Sequence, residues 1–136
     1  MSTARDPSRS GPLTDLRVIE MGQLLAGPFC GQLLADFGAE VIKIEQPGIG
    51  DPMREWGREK PHGLSLWWPV IARNKKSIEL NAREADGQEI IKALVAKADI
   101  VLENFRPGTM EKWGLGYEDL AKINPKIVMI RVSGYG

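Results

Sequence analysis

Five short clusters in this chain carry residue types that can hold an anion: Gly22 to Gly27, Glu45-Gln46, Leu80-Asn81, Asn104-Phe105-Arg106 and Ser133-Gly134-Tyr135. Glycine turns bring main-chain N–H groups close to phosphate oxygens, a planar guanidinium grips those oxygens in pairs, and side-chain amides add donors. The set suits an anionic ligand with a nucleotide part. Glycine and asparagine also collect in any turn, so a purely structural reading of the same clusters stays open. A nicotinamide site would put a glycine turn after one strand and an acid such as Glu45 at the end of the next. Here the turn runs Gly22-Gln-Leu-Leu-Ala-Gly27 and then Pro28, which is not G-x-G-x-x-G. Gly27 is not followed by Lys and Ser or Thr either, which excludes a Walker phosphate loop.

Other reactive side chains have simpler explanations. Cys30 lies in an apolar helical stretch with no basic neighbour in sequence and reads as a small buried hydrophobe. His62 stands alone in a Pro-Gly loop, without the partners a metal site needs. Trp67 and Trp68 could stack a base, but tryptophans beside Val70 and Ile71 more often pack in a core. Arg73, Lys75 and Lys76 could face phosphate or could protect an edge strand from pairing with other chains. Asp36, Asp51, Asp86 and Asp99 each read as a helix cap or a surface charge.

The elements that would position the five clusters follow from hydrophobic periodicity. Leu16, Val18 and Ile19 begin a strand that stops at Met21, and Pro28 is expected to start a helix, where its missing N–H costs nothing. Phe29, Leu33, Leu34 and Phe37 recur at helical spacing, and Gly38 ends the helix. That stripe is expected to lie on the sheet, so Phe37→Ala should cost ~3–5 kcal/mol. Val41 to Ile44 forms the next strand, parallel to the first through a right-handed crossover. A long Pro- and Gly-rich loop follows, then a short helix over Ser65 to Ala72 capped by Ser65. Further strands are expected at Lys76 to Leu80, Ile100 to Leu102 and Ile127 to Val132. Helices are expected at Ala85 to Lys97, Thr109 to Trp113 and Tyr117 to Ile123, with Ile90, Ile91, Leu94 and Val95 facing inward on the first. This alternation implies an α/β fold, a Rossmann-like open parallel sheet with helices on both faces. In such sheets ligands bind beyond the carboxyl ends of the strands, where the five clusters fall.

Composition narrows the classes. The 136 residues, 43% hydrophobic and 26% charged, suffice for one domain with a core. Eighteen basic against eighteen acidic residues give no electrostatic support for nucleic acid or a membrane surface as partner. A single cysteine fits a reducing cytoplasm, and no apolar run approaches the ~20 residues of a membrane span. Residues 1–13 read as a flexible tail and 14–136 as the folded domain.

Six blocks then carry a family resemblance: QLLAGPF (Gln23 to Phe29), GAEVIKIE (Gly38 to Glu45), PGIGD (Pro47 to Asp51), RNKKSIEL (Arg73 to Leu80), ENFRPGTMEKWGLGYEDL (Glu103 to Leu120) and INPKIVMIRVSGYG (Ile123 to Gly136). Together and in order they resemble the class III CoA-transferases, the CaiB/BaiF family, with dicarboxylate-type members such as the succinyl-CoA:glutarate transferases nearest. α-Methylacyl-CoA racemases share most of the blocks, and a non-catalytic nucleotide-binding module is a further alternative. The resemblance implies a Rossmann-like CoA-binding domain, a smaller second domain absent from these residues, and an interlocked homodimer. It implies coenzyme A and acyl-CoA as substrates with a carboxylic acid as acceptor, and neither a tightly bound cofactor nor a metal. The nucleotide contacts of formyl-CoA transferases map onto Leu25, Ala26, Gln46, Leu80, Asn81, Ala82, Arg83, Asn104, Phe105, Arg106 and Lys112. Leu25 stands where that relative has glutamine, Gln46 where it has arginine and Arg106 where it has glycine. Arg106 and Lys112 are therefore expected to supply charge, with Ala26 and Phe105 lining the adenine end. The family's nucleophile is an aspartate that forms a mixed anhydride and then an enzyme thioester. No aspartate here matches it, so the resemblance implies a CoA-binding portion without the catalytic residue, inactive alone.

Overall fold

In the computed structural model, which describes residues 10–135, the strands are β1 (Arg17–Glu20), β2 (Glu40–Glu45), β3 (Lys75–Glu79), β4 (Ile100–Glu103) and β5 (Val128–Arg131). They form one parallel sheet in the order β3-β2-β1-β4-β5, with Val18 of β1 opposite Val41 of β2 on one side and Ile100 of β4 on the other. The three central strands carry their aliphatic side chains at Val18-Ile19, Val41-Ile42 and Ile100 to Leu102, as expected of strands covered on both faces. The helices are α1 (Ala26–Asp36), α2 (Trp68–Ile71), α3 (Ala85–Val95), α4 (Thr109–Lys112) and α5 (Tyr117–Ile123). α1 covers one face over Val18, Val41 and Leu102. Ile91 and Val95 of α3, Met110 of α4 and Leu120 of α5 cover the other, packing with Ile19, Met21, Ile44 and Val101. The chain thus leaves β1 toward one face and enters β4 from the other, which opens a crevice between their carboxyl ends.

The expected elements are present with modest changes of boundary. The short helix is confined to Trp68–Ile71, and Ser65 does not cap it: its hydroxyl donates to Trp56 O (2.7 Å) and accepts from Trp67 N–H (3.2 Å), tying the segment to the preceding loop. On α3, Ile91 and Val95 are buried as expected, whereas Ile90 faces outward. Of the tail expected over residues 1–13, the first nine residues lie outside the described residues. Leu13 packs at the end of α1, with its N–H donating to Phe37 O (3.0 Å).

α1 reverses the expected orientation. It begins at Ala26, two residues before Pro28, whose missing N–H still falls among the helix's unpaired first-turn donors. Phe29, Leu33 and Phe37 are 48%, 42% and 55% exposed, so of the expected stripe only Leu34 packs toward the sheet. The inward face is made of Gly27, Pro28, Gly31, Gln32 and Ala35. The reason is steric and electrostatic: a Cβ on Gly31 would stand 1.9 Å from Glu20 Oε2, a carboxylate of the sheet beneath. Only small residues let the helix approach so closely.

Candidate functional site

Beyond the carboxyl ends of β1, β2, β3 and β4 lies a cleft of about 210 Å³. Met21 and Ile44, each at a strand end, contribute apolar surface to it. Leu80, Asn81, Ala82 and Arg83 line it from the turn after β3, and Gln46 does so from the turn after β2. Phe105 and Trp113 supply an aromatic wall, edge to face with centroids 5.1 Å apart, and Thr109 and Gln23 complete the lining. The volume falls below the ~300–1,000 Å³ of a drug-sized pocket, which limits it to one ring system of a longer ligand.

The turns that frame the cleft are fixed from within. Asn104 binds both main-chain groups of Gln23: its Oδ1 accepts from Gln23 N–H (2.7 Å) and its Nδ2 donates to Gln23 O (3.0 Å). Gly22 and Gly27 make room for it, since a Cβ on either would meet Asn104 Oδ1 at 2.6 and 2.8 Å. The glycines of this turn therefore serve a side chain of β4's turn. After β3, Asn81 Oδ1 accepts from Arg83 N–H (3.1 Å) and Gln88 Nε2 donates to Ala82 O (3.1 Å).

Glu45 borders the cleft but is fully engaged. Its carboxylate accepts from Arg54 Nε (2.7 Å) and a second guanidinium nitrogen (2.9 Å), from Asp51 N–H (2.9 Å) and from the Ser77 hydroxyl. Burial alone would raise its pKa, but these donors hold it down at about 2. An acid so occupied has no oxygen to offer a ribose, which agrees with the absence of a dinucleotide fingerprint.

Of the residues singled out in the sequence, the structure brings Gln23, Glu45, Gln46, Leu80, Asn81, Ala82, Arg83 and Phe105 together in the cleft. Leu25 and Ala26 are exposed at the start of α1 and do not line it. Asn104 acts as a brace, and Arg106 and Lys112 are exposed on the segment that carries Phe105, Thr109 and Trp113. Met21, Ile44, Thr109 and Trp113 were not singled out. Met21 and Ile44 are the last apolar residues of their strands, a signal that was legible, whereas Trp113 comes into the cleft only through the turn of α4.

The remaining basic and reactive groups are accounted for. Arg73 binds Asp36 (2.5 Å), whose carboxyl is held at about 2 by that guanidinium, and Lys76 binds Glu40 (2.7 Å). Lys75 turns inward, its side chain only 2% exposed. Burial pushes the Cys30 thiol up, with the Glu20 charge adding to the effect, which keeps it protonated and unreactive. Trp67 is half exposed and packs edge to face on Trp56, while Arg54 lies over the Trp68 ring at 3.8 Å. Among the described residues no group of three or more His, Cys, Asp or Glu could hold a metal ion, and no helix is long and apolar enough to cross a membrane.

Comparison with known proteins agrees with this geometry. The succinyl-CoA–D-citramalate CoA-transferase of Chloroflexus aurantiacus is 64% identical over 136 residues, covering the whole of this chain and 33% of that protein. The human succinyl-CoA:glutarate CoA-transferase is 42% identical over 131 residues, covering 96% of this chain and 30% of its own length. This chain therefore spans about a third of the curated relatives it matches. A CaiB/BaiF family protein from Brucella suis superimposes with a TM-score of 0.86 at 41% identity over 94% of this chain and 35% of that one. The Mycobacterium tuberculosis protein Rv3272 does so with a TM-score of 0.85 at 40% identity over 95% and 35%. Residues 13–136 match the model of CoA-transferase family III, and with the five-stranded parallel sheet and its strand-end cleft in place, the chain belongs to that family.

Proposed function

We propose that this chain holds the CoA of a CoA-transferase that moves CoA between an acyl-CoA and a carboxylic acid, a dicarboxylate. The observation that carries this reading is charge placement around the cleft. Arg17, Arg54, Arg73, Arg131 and Lys43, Lys60, Lys75, Lys76, Lys92 and Lys122 are all in ion pairs. Six cations among the described residues are in no ion pair, Arg58, Arg83, Lys97, Arg106, Lys112 and Lys126; of these Arg83 lines the cleft and Arg106 and Lys112 adjoin its aromatic wall in sequence. Three uncommitted cations beside an apolar, aromatic-walled slot suit a purine ring with phosphates attached. In this reading Phe105 and Trp113 take the ring, Arg83, Arg106 and Lys112 the phosphates, and Gln46, Leu80, Asn81 and Ala82 the edges of the nucleotide. Asn104 holds the turn, and Leu25 and Ala26 meet the pantetheine arm as it leaves toward α1. The succinyl-CoA donors named for the transferases of Chloroflexus and human support a dicarboxylate.

We propose no acyl-carrying nucleophile among these residues. Glu20, Glu40, Glu45 and Asp51 are all buried in ion pairs, and Glu103 is buried with its carboxylate accepting from Phe105 N–H (2.6 Å). A ping-pong exchange needs a free carboxylate beside the bound thioester, and the one acid that lines the cleft, Glu45, is fully engaged. The reading extends to residues 14–136 as one CoA-binding domain and to a homodimer in a reducing cytoplasm. The outward apolar stripe of α1 and the single unpaired thiol support those two points. Isothermal titration of the chain with CoA and with adenosine 3′,5′-bisphosphate tests the reading. Both should bind, and neither binding would overturn it. Mass spectrometry after incubation with succinyl-CoA and a panel of dicarboxylates should find no new CoA ester.

A further inference from the structure

Beneath α1 the sheet and the loop after β2 carry two acids and two lysines that the CoA-holding reading does not use. Glu20, Lys43, Asp51 and Lys75 have side chains no more than 2% exposed. Lys43 Nζ lies 3.1 Å from Glu20 Oε1 and 2.7 Å from Asp51 Oδ2, and Lys75 Nζ lies 2.7 Å from Glu20 Oε2. Glu20 Oε2 and Asp51 Oδ2 make no hydrogen bond apart from these ammonium contacts.

Each lysine also reaches the main chain that follows β1. Lys43 Nζ donates to Gly22 O (2.8 Å) at the start of the turn and Lys75 Nζ to Pro28 O (2.6 Å) in the first turn of α1, which follows it. Asp51 Oδ1 accepts from Leu24 N–H (3.1 Å) between them, and Asn104 holds Gln23 beside it. Leu24 is a left-handed residue with φ 62°, a conformation that leucine keeps only when its surroundings impose it. Gly31 is the one small residue that lets the helix close over Glu20.

A cluster of this kind is a poor source of stability, because removing four charges from water costs about as much as their attraction returns. Burial accordingly pushes Glu20 up and Lys75 down, both toward their neutral forms, against the pull of their partners. Its geometric effect is specific: three main-chain groups between Gly22 and Pro28 are fixed by Lys43 of β2, Asp51 of the loop after β2 and Lys75 of β3, and Glu20 of β1 holds both lysines.

We propose that Glu20, Lys43, Asp51 and Lys75 are positioning residues, an ionic clamp that presets the turn from Gly22 to Pro28 so that Gln23 and the exposed Leu24 and Leu25 stand ready at the mouth of the cleft before CoA arrives. The binding part of this inference rests on the CoA-holding reading; the conformational part does not.

The test is a double variant, Glu20→Gln with Lys75→Met, which removes two opposite charges, keeps their volume and leaves Lys43 an acceptor at position 20. Amide hydrogen exchange of residues 23–27 without ligand is read first. Exchange should accelerate about tenfold or more while the amides of β4 and α3 stay protected. CoA affinity should fall about tenfold, the loss expected if the turn holds its competent geometry a tenth of the time. Lys43→Met with Asp51→Asn, at the other end of the turn, should do the same and stands in if the first variant does not fold. Leu120→Ala, in the core of the opposite face, lowers stability by a different route and should change neither reading. Unchanged exchange in the turn would overturn the clamp. Faster exchange with unchanged CoA affinity would overturn its positioning role, as would equal losses in Leu120→Ala. If the wild type binds no CoA, the CoA-holding reading fails and the exchange data alone decide the clamp.

Discussion

Replacing Phe37 by alanine separates the two orientations of α1. Had its apolar stripe lain on the sheet, the loss would be that of a core phenylalanine, ~3–5 kcal/mol. Phe37 is 55% exposed, so the substitution returns less than half of the side chain's surface to water and leaves no closed cavity. Full burial of a phenylalanine is worth ~1.5–3 kcal/mol, so the structure predicts a cost of about 1 kcal/mol. The main-chain groups of Phe37, which bond to Leu33 O, and to Leu13 N–H, are untouched by the change. Ile91→Ala is the internal standard, because Ile91 is 0% exposed in the opposite core and its truncation should cost ~2–5 kcal/mol. Urea denaturation of both variants, compared through their midpoints at constant slope, gives the two numbers on one scale. A Phe37→Ala loss equal to that of Ile91→Ala at every protein concentration would refute the outward assignment. A loss that grows with protein concentration would instead report a second copy covering the stripe, as the proposed homodimer requires.

Arg83→Ala should weaken CoA by ~1.5–3 kcal/mol, the worth of a hydrogen bond to a charged group, and Arg106→Ala by a similar amount; calorimetry that finds neither effect removes them from the site. Gly31→Ala should destabilise the domain, because the added methyl displaces Glu20 from Lys75, and thermal melting should show a loss well above that of Ala93→Gly on the exposed side of α3. Glu45 gives a pH signature. Its folded pKa of about 2 lies below the reference 4.5, so its contribution is complete above pH 4.5 and is lost as pH falls toward 2. The full shift corresponds to about 3 kcal/mol, and Glu45→Gln should flatten the acid limb of the stability curve over that window.

Most of the sheet was legible because aliphatic strands announce themselves. Val41 to Ile44 and Ile100 to Leu102 are short, apolar and bounded by turn residues, and crossover handedness leaves little choice of topology. Half of the cleft was legible for the same reason: once strand ends are located, the residues after them are located too. What escaped was the inward face of α1 and everything beneath it. A periodicity argument assumes that a helix buries its largest apolar side chains. It fails where the sheet presents charge, because large side chains would then separate the lysines and carboxylates from the main-chain atoms they bind.

Two signals for that arrangement do stand in the chain. Gly27, Gly31 and Ala35 recur every four residues, a row of small side chains along one helical face that marks close approach as surely as a row of leucines marks a core. Lys43 sits between Ile42 and Ile44 in a strand with no room for an exposed face, so its ammonium had to find buried partners. The two faces of the sheet thereby do different work. Ile19, Met21, Ile91, Val95, Met110 and Leu120 bury apolar surface on one side and hold the fold. On the other, part of the core is exchanged for an ionic cluster that contributes little stability but fixes the turn on which the cleft's mouth is built. A thermally stabilising repacking of Glu20, Lys43, Asp51 and Lys75 with aliphatic residues is therefore expected to raise the melting temperature and lose CoA together.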